Sequence, residues 1–171
     1  MARYPEVLAG NRITAQLLDS MLPDIVIKPA NETVTSSTTL QNDDDLFVSV
    51  EANAQYDVFL TVFHDSEATS GDIKFSWTGP SGATMNWGVH TPTLTTTSST
   101  TVPDTNMQVR LINEVVETGG ADNTGTTMFA SGSLTTSSTA GTLQLQWAQQ
   151  TSNATASTVR AGSKLHVRRV A

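Results

Sequence analysis

Residues 71–87, GDIKFSWTGPSGATMNW, decide the fold class. Ile73, Phe75 and Trp77 alternate with Asp72, Lys74, Ser76 and Thr78, the period of two of a strand with one buried face. Gly79-Pro80-Ser81-Gly82 then breaks the chain, since proline presets a turn angle and glycine accepts positive φ. Ala83, Met85 and Trp87 resume the alternation. The pattern predicts a β-hairpin with a long turn and two tryptophans on its inner face.

Outward from this stretch the same signal recurs. Leu46, Val48 and Val50 alternate, as do Leu143, Leu145 and Trp147, and Met107, Val109 and Leu111 are read as inward residues of a strand over 107–116. Asp43-Asp44-Asp45 reads as a turn, residues 91–105 as the main variable loop and residues 119–125 as a glycine-rich turn. Nine or ten short strands at roughly 8–15-residue spacing predict an all-β antiparallel sandwich or barrel. One helix is expected, over residues 11–22, with Asn11 as its N-cap and Pro23 as its stop. Its stripe of Ile13, Leu17, Leu18 and Met21 is apolar, and a dozen residues are too few to stand alone in water. Residues 1–23 are therefore read as an arm and helix that attach the protein to something else, and residues 24–171 as the β domain.

The strand over 56–63 breaks the one-sided rule. Tyr56, Val58, Leu60 and Val62 form one apolar face, yet Phe59 and Phe63 lie on the other. With the first face inside the sandwich, Phe59 and Phe63 need cover, from an overlying loop or a neighbouring subunit. The expectation is a subunit interface.

Composition narrows the function. The chain has 171 residues and no cysteine, so disulfide scaffolds, Cys-ligated zinc and thiol catalysis are excluded. The net charge is −7, and residues 30–158 hold only Lys74 and Arg110 against thirteen acids, which argues against nucleic-acid binding. The basic residues Arg160, Lys164, Arg168 and Arg169 cluster at the end of the chain, where they are expected to balance acidic neighbours. No apolar run is long enough to span a bilayer, and no signal peptide follows Met1.

No catalytic set, metal site or cofactor motif emerges. His64, His90 and His166 lie in separate segments, and Asp43–45 lack the spacing of a calcium loop. No nucleophile elbow or phosphate-binding loop is present. The reading is a protein that works by shape and is not an enzyme. A rival class is a carbohydrate-binding module or small hydrolase in which Trp87, Trp147 and Tyr4 stack on sugar rings if exposed; whether Trp87 and Trp147 are buried discriminates between the two.

Four segments carry a resemblance: NRITAxxLxxMLP at 11–23, ETVTSSTTL at 32–40, GDIK with GPSGATM at 71–85, and STAGTLQLQWAQ at 138–149. Together they resemble small virion proteins of tailed bacteriophages infecting actinobacteria, labelled minor tail, head-fibre or decoration proteins. The later strands are also similar to the trimeric jelly rolls of the tumour-necrosis-factor and C1q type. The resemblance implies a β jelly roll assembled as a homotrimer, made in the host cytoplasm and placed on the particle surface. It implies capsid or tail proteins as partners, with docking through Ile13, Leu17, Leu18 and Met21, and a host-surface glycan as the alternative partner.

Overall fold

The computed structural model describes residues 5, 7–66, 72–94, 105–120 and 125–171. Thirteen strands and one short helix are found among them. The helix is α1 (Ala15–Asp19). The strands are β1 (Asp24–Ile27), β2 (Glu32–Val34), β3 (Gln41–Val50), β4 (Gln55–Asp65), β5 (Ile73–Thr78), β6 (Thr84–Pro92) and β7 (Thr105–Asn106). They continue with β8 (Val109–Leu111), β9 (Val116–Thr118), β10 (Thr126–Thr135), β11 (Gly141–Gln149), β12 (Ser157–Val159) and β13 (Lys164–Arg169).

These strands form two antiparallel sheets. The larger runs β1-β13-β4-β10-β6-β7, with β2, β8 and β12 at its margins; the smaller runs β3-β11-β5-β9. The pairings are nested: β1 with β13, β3 with β11, β4 with β10 and β5 with β9. A long antiparallel ribbon rolled around a sandwich gives this order, so the fold is an antiparallel jelly roll. Between the sheets lie Leu46, Val58, Leu60, Val62, Phe75, Trp77, Trp87, Leu143, Leu145, Trp147, Leu165 and Val167, all buried.

The opening stretch is not a hairpin. β5 pairs with β11 and β9 in the small sheet, while β6 pairs with β10 and β8 in the large one. Residues 79–83 therefore arch over the end of the sandwich, closed by the Ala83 N–H donating to the Pro80 carbonyl at 3.0 Å, with Gly82 at φ +75°. Trp77 and Trp87 face each other across the core edge to face, 6.3 Å between ring centroids. The alternation names the inward residues correctly under either connection, which is why it cannot tell a hairpin from an arch.

Other boundaries also move. The Asp43-Asp44-Asp45 run lies inside β3, not in a turn. It forms a bulge there: Asn42 pairs with Gln146 and Phe47 with Gln144, and the Asp43 carboxylate accepts the Asp45 and Leu46 N–H groups. The strand expected over 107–116 is two strands in different sheets, and Met107, Val109 and Leu111 point outward, not into the core. The segment near the C-terminus divides into β12 and β13 around Gly162, at φ +85°.

The expected helix over 11–22 shrinks to α1. Its N-cap is Thr14, whose Oγ1 accepts the Leu17 N–H at 3.2 Å, in place of Asn11. Beyond Asp19, Met21 and Leu22 donate to Leu18 and Asp19, so the end tightens into turns of three. No residue of α1 is buried, and without packing so short a segment gains little from further helix. The core of the 91–105 loop, residues 121–124 of the glycine-rich turn, and Tyr4 and Glu67 lie outside the described residues.

Candidate functional site

The outer face of the large sheet is unusually apolar for a surface. On β4 the inward residues Tyr56, Val58, Leu60 and Val62 are buried, whereas Phe59 is 55% exposed and Phe63 sits at the edge of exposure. Register carries this face across the sheet. One transverse row reads Ile25, His166, Phe59, Ser131, Gly88, Val109; the next reads Ile27, Lys164, Thr61, Phe129, His90.

Ile25, Ile27, Phe59, Phe63, Phe129, Val109 and Leu111 are all exposed on this face, and Met107 adjoins it. Isolated surface hydrophobes are ordinary, but a contiguous patch over several strands marks an interaction surface. Ser131 and Gly88 are small, so the sheet dips between Phe59 and Val109. The resulting groove, of about 480 Å³, is flanked by Phe59, Phe129, His90 and Met107. Its shape suits an apolar knob from a facing surface.

Of the residues singled out in the sequence, Phe59 and Phe63 belong to this face. Phe129, Ile25, Ile27, Val109 and Leu111 were missed as members of it. Phe129 carried the same signal as Phe59, an aromatic out of phase with Met128, Ala130 and Leu134. Val109 and Leu111 carry the opposite one, because alternation by itself predicts an inward face. The N-terminal residues Ile13, Leu18 and Met21 are exposed and Leu17 is half-buried on α1, so the structure does not gather them into the patch.

The charged residues are mostly absorbed by local pairing. Arg160 meets Asp65, Arg168 meets Asp57 at 2.7 Å, and Arg169 meets Glu51, so the basic end lies against acids of β4 and its neighbours. The exposed Arg168–Asp57 pair contributes about 0–1 kcal/mol. Trp87 and Trp147 are buried, which removes them as a sugar platform. Among the described residues, no group of three or more His, Cys, Asp and Glu side chains is arranged to hold a metal ion.

Two buried polar centres stand apart. Lys28 follows β1 and is fully enclosed, its Nζ 2.6 Å from Glu32 Oε2, 2.9 Å from Asp43 Oδ1 and 3.1 Å from Asp45 Oδ2. Burial pushes the Asp43 carboxyl up, against the lowering effect of its hydrogen bonds with Lys28, Leu46 and Asp45. For Lys28, burial acts downward, but the three acids outweigh it and hold the ammonium charged well above its usual range.

The second centre is His64, fully buried against the Phe75 ring and hydrogen-bonded to the Thr126 hydroxyl. Burial lowers its pKa to about 4; nearby Asp65 opposes this and Arg160 adds to it. The unfolded chain binds a proton at His64 near its ordinary value of 6.5 while the native protein does not. Stability from this group is therefore complete above that value and is lost as pH falls towards about 4. Asp43 and Asp72, both raised by burial, tilt the other way. Urea unfolding is expected to show the protein losing about 3 kcal/mol relative to His64→Gln between these pH values. A pH-independent difference would place His64 in water.

No protein-family model and no curated protein matches this sequence. Among solved structures, the chain is similar to the tripod from the baseplate of bacteriophage Tuc2009, at 12% identity and a TM-score of 0.39, over 95% of this chain and 72% of that one. It is also similar to the xylanase 10B CBM22-1–GH10 modules of Clostridium thermocellum complexed with xylohexaose, at 11% identity and a TM-score of 0.33, over 85% of this chain and 28% of that one. A third similarity is to infectious bursal disease virus VP2, at 9% identity and a TM-score of 0.21, over 98% of this chain and 44% of that one.

Proposed function

We propose that this chain is a structural protein of a tailed-phage particle, a homotrimer joined through the outer face of its large sheet. It serves as a capsid decoration, head-fibre or minor tail protein on the particle surface, made in the host cytoplasm and working without catalysis. The observation that carries this reading is the apolar face of Ile25, Ile27, Phe59, Phe129, Val109 and Leu111. A monomer rarely leaves so much contiguous apolar surface in water, whereas an interface core is built from it. The four segments that resemble virion proteins of tailed phages support the setting.

Residues 1–23 are the attachment segment in this reading. Ile13, Leu18 and Met21 are exposed, and β1 begins only at Asp24, so the jelly roll closes without them. A chain beginning at Asp24 is expected to stay folded and oligomeric, yet to be missing from purified particles assembled with it. Aggregation of that chain, or loss of its cooperative melting, would place the segment in the core instead. A monomeric full chain that binds purified host cell-wall polysaccharide would replace the reading with a host-surface binding module.

A further inference from the structure

We propose that Lys28 and Asp43 close an intramolecular isopeptide bond, with Glu32 as the base that frees the amine. The side chains of Lys28 and Asp43 are both fully shielded from solvent, and Nζ touches Asp43 Oδ1 at 2.9 Å. Each oxygen of Asp43 has a distinct environment. Oδ1 accepts the backbone N–H groups of Asp45 at 3.0 Å and Leu46 at 2.8 Å. Oδ2 is buried with no hydrogen-bond partner.

That arrangement matches what amide formation needs. Two fixed N–H donors stabilise negative charge developing on Oδ1, as an oxyanion site does. The unpartnered Oδ2 is the oxygen that leaves. As a carboxylate oxygen it carries its whole desolvation cost, and the reaction removes it. Asp45 also touches Nζ, but its side chain is 31% exposed, so water competes there.

Glu32 is held for its task. Its Oε2 lies 2.6 Å from Nζ and also accepts the Asp44 N–H at 3.0 Å, while Oε1 accepts from Gln41 at 3.2 Å. Three carboxyls surround one ammonium, so one of them holds a proton readily, and burial selects Asp43.

The step balances without a co-reactant. Glu32 takes one proton from the Lys28 ammonium, and the neutral amine attacks Cγ of protonated Asp43. The Nζ–Cγ bond forms, the Cγ–Oδ2 bond breaks, and Oδ2 departs as water with its own proton and a second one from Nζ. The product is a neutral amide and a protonated Glu32. Because the acids hold the ammonium charged, the transfer to Glu32 is uphill, and the bond closes slowly, once per molecule. It ties the end of β1 in the large sheet to β3 in the small one.

Intact-protein mass spectrometry on the full chain tests this directly. The expected mass lies about 18 Da below that of the sequence, with peptide mapping placing a branch between Lys28 and Asp43. Glu32→Gln and Asp43→Ala are expected to return the full mass, and Asp43→Asn to lose ammonia instead, about 17 Da. An unmutated protein that keeps its full mass after prolonged incubation overturns the proposal. So does a loss mapped to another pair of residues, and a loss that persists in Glu32→Gln overturns the role of Glu32.

Discussion

Trp77→Ala is expected to destabilise the fold by about 3–5 kcal/mol, a large share of the roughly 5–15 kcal/mol that holds a domain together. Trp77 is wholly buried at the centre of the small sheet and meets Trp87 of the opposite sheet edge to face. Its removal takes away transfer energy, opens a cavity between the sheets, and forfeits the ring pair, itself worth about 0.5–1.5 kcal/mol. Urea unfolding should show a lower midpoint at unchanged slope. Trp77→Phe should cost less, because the Trp77 indole N–H is buried without a hydrogen-bond partner and phenylalanine does not carry it. A cost below about 1 kcal/mol for the alanine variant would mean that the two sheets do not close over this ring.

Phe59→Asp is expected to separate the subunits without unfolding them. Phe59 lies near the middle of the exposed face, beside the groove floored by Ser131 and Gly88. A carboxylate placed there would be desolvated in an assembly, where Phe59 faces Ser131 on one side and His166 on the other. Central aromatic anchors commonly contribute about 2 kcal/mol or more, which shifts an association midpoint at least about thirtyfold. The isolated subunit should change by no more than about 0.5 kcal/mol, as for any open surface position. Sedimentation velocity with parallel thermal melts reads both quantities. An unmutated protein that sediments as a monomer at micromolar concentration sinks the interface, and a variant that unfolds as it dissociates shows that Phe59 supports its own domain.

The outer face also shows how far the sequence reaches. Phe59 and Phe63 were legible because they fall out of phase with four inward neighbours on one strand. Phe129 was equally legible by that test. Ile25, Ile27, Val109 and Leu111 were not, because short edge strands with two or three apolar residues give a periodicity without a sign. Nothing local states which side of β8 faces the core; its pairing with β6 does, and that depends on Leu111, Arg110 and Val109 finding Asn86, Trp87 and Gly88 more than twenty residues away.

The buried centre around Lys28 was hidden for a related reason. Three adjacent aspartates read as a solvated turn, and their local chemistry is indeed turn-like, since Asp43 folds back on the N–H groups of Asp45 and Leu46. What encloses it is the approach of Lys28 and Glu32 from another part of the chain, against the turn at Gly162 and Ser163. Burial of a charge is a property of that packing and not of the residue.

Side-chain alternation is enough to show that the chain is built of antiparallel strands, which residues of β3, β4, β5, β6 and β11 point inward, and that β4 has two apolar faces. These follow from side-chain alternation, which backbone geometry imposes within a few residues. That β5 and β6 face each other instead of pairing, that β8 turns its apolar side outward, and that Lys28 is enclosed emerge first in the folded protein. Those outcomes come from contacts between distant segments, where the burial of one strand depends on which others have already covered it.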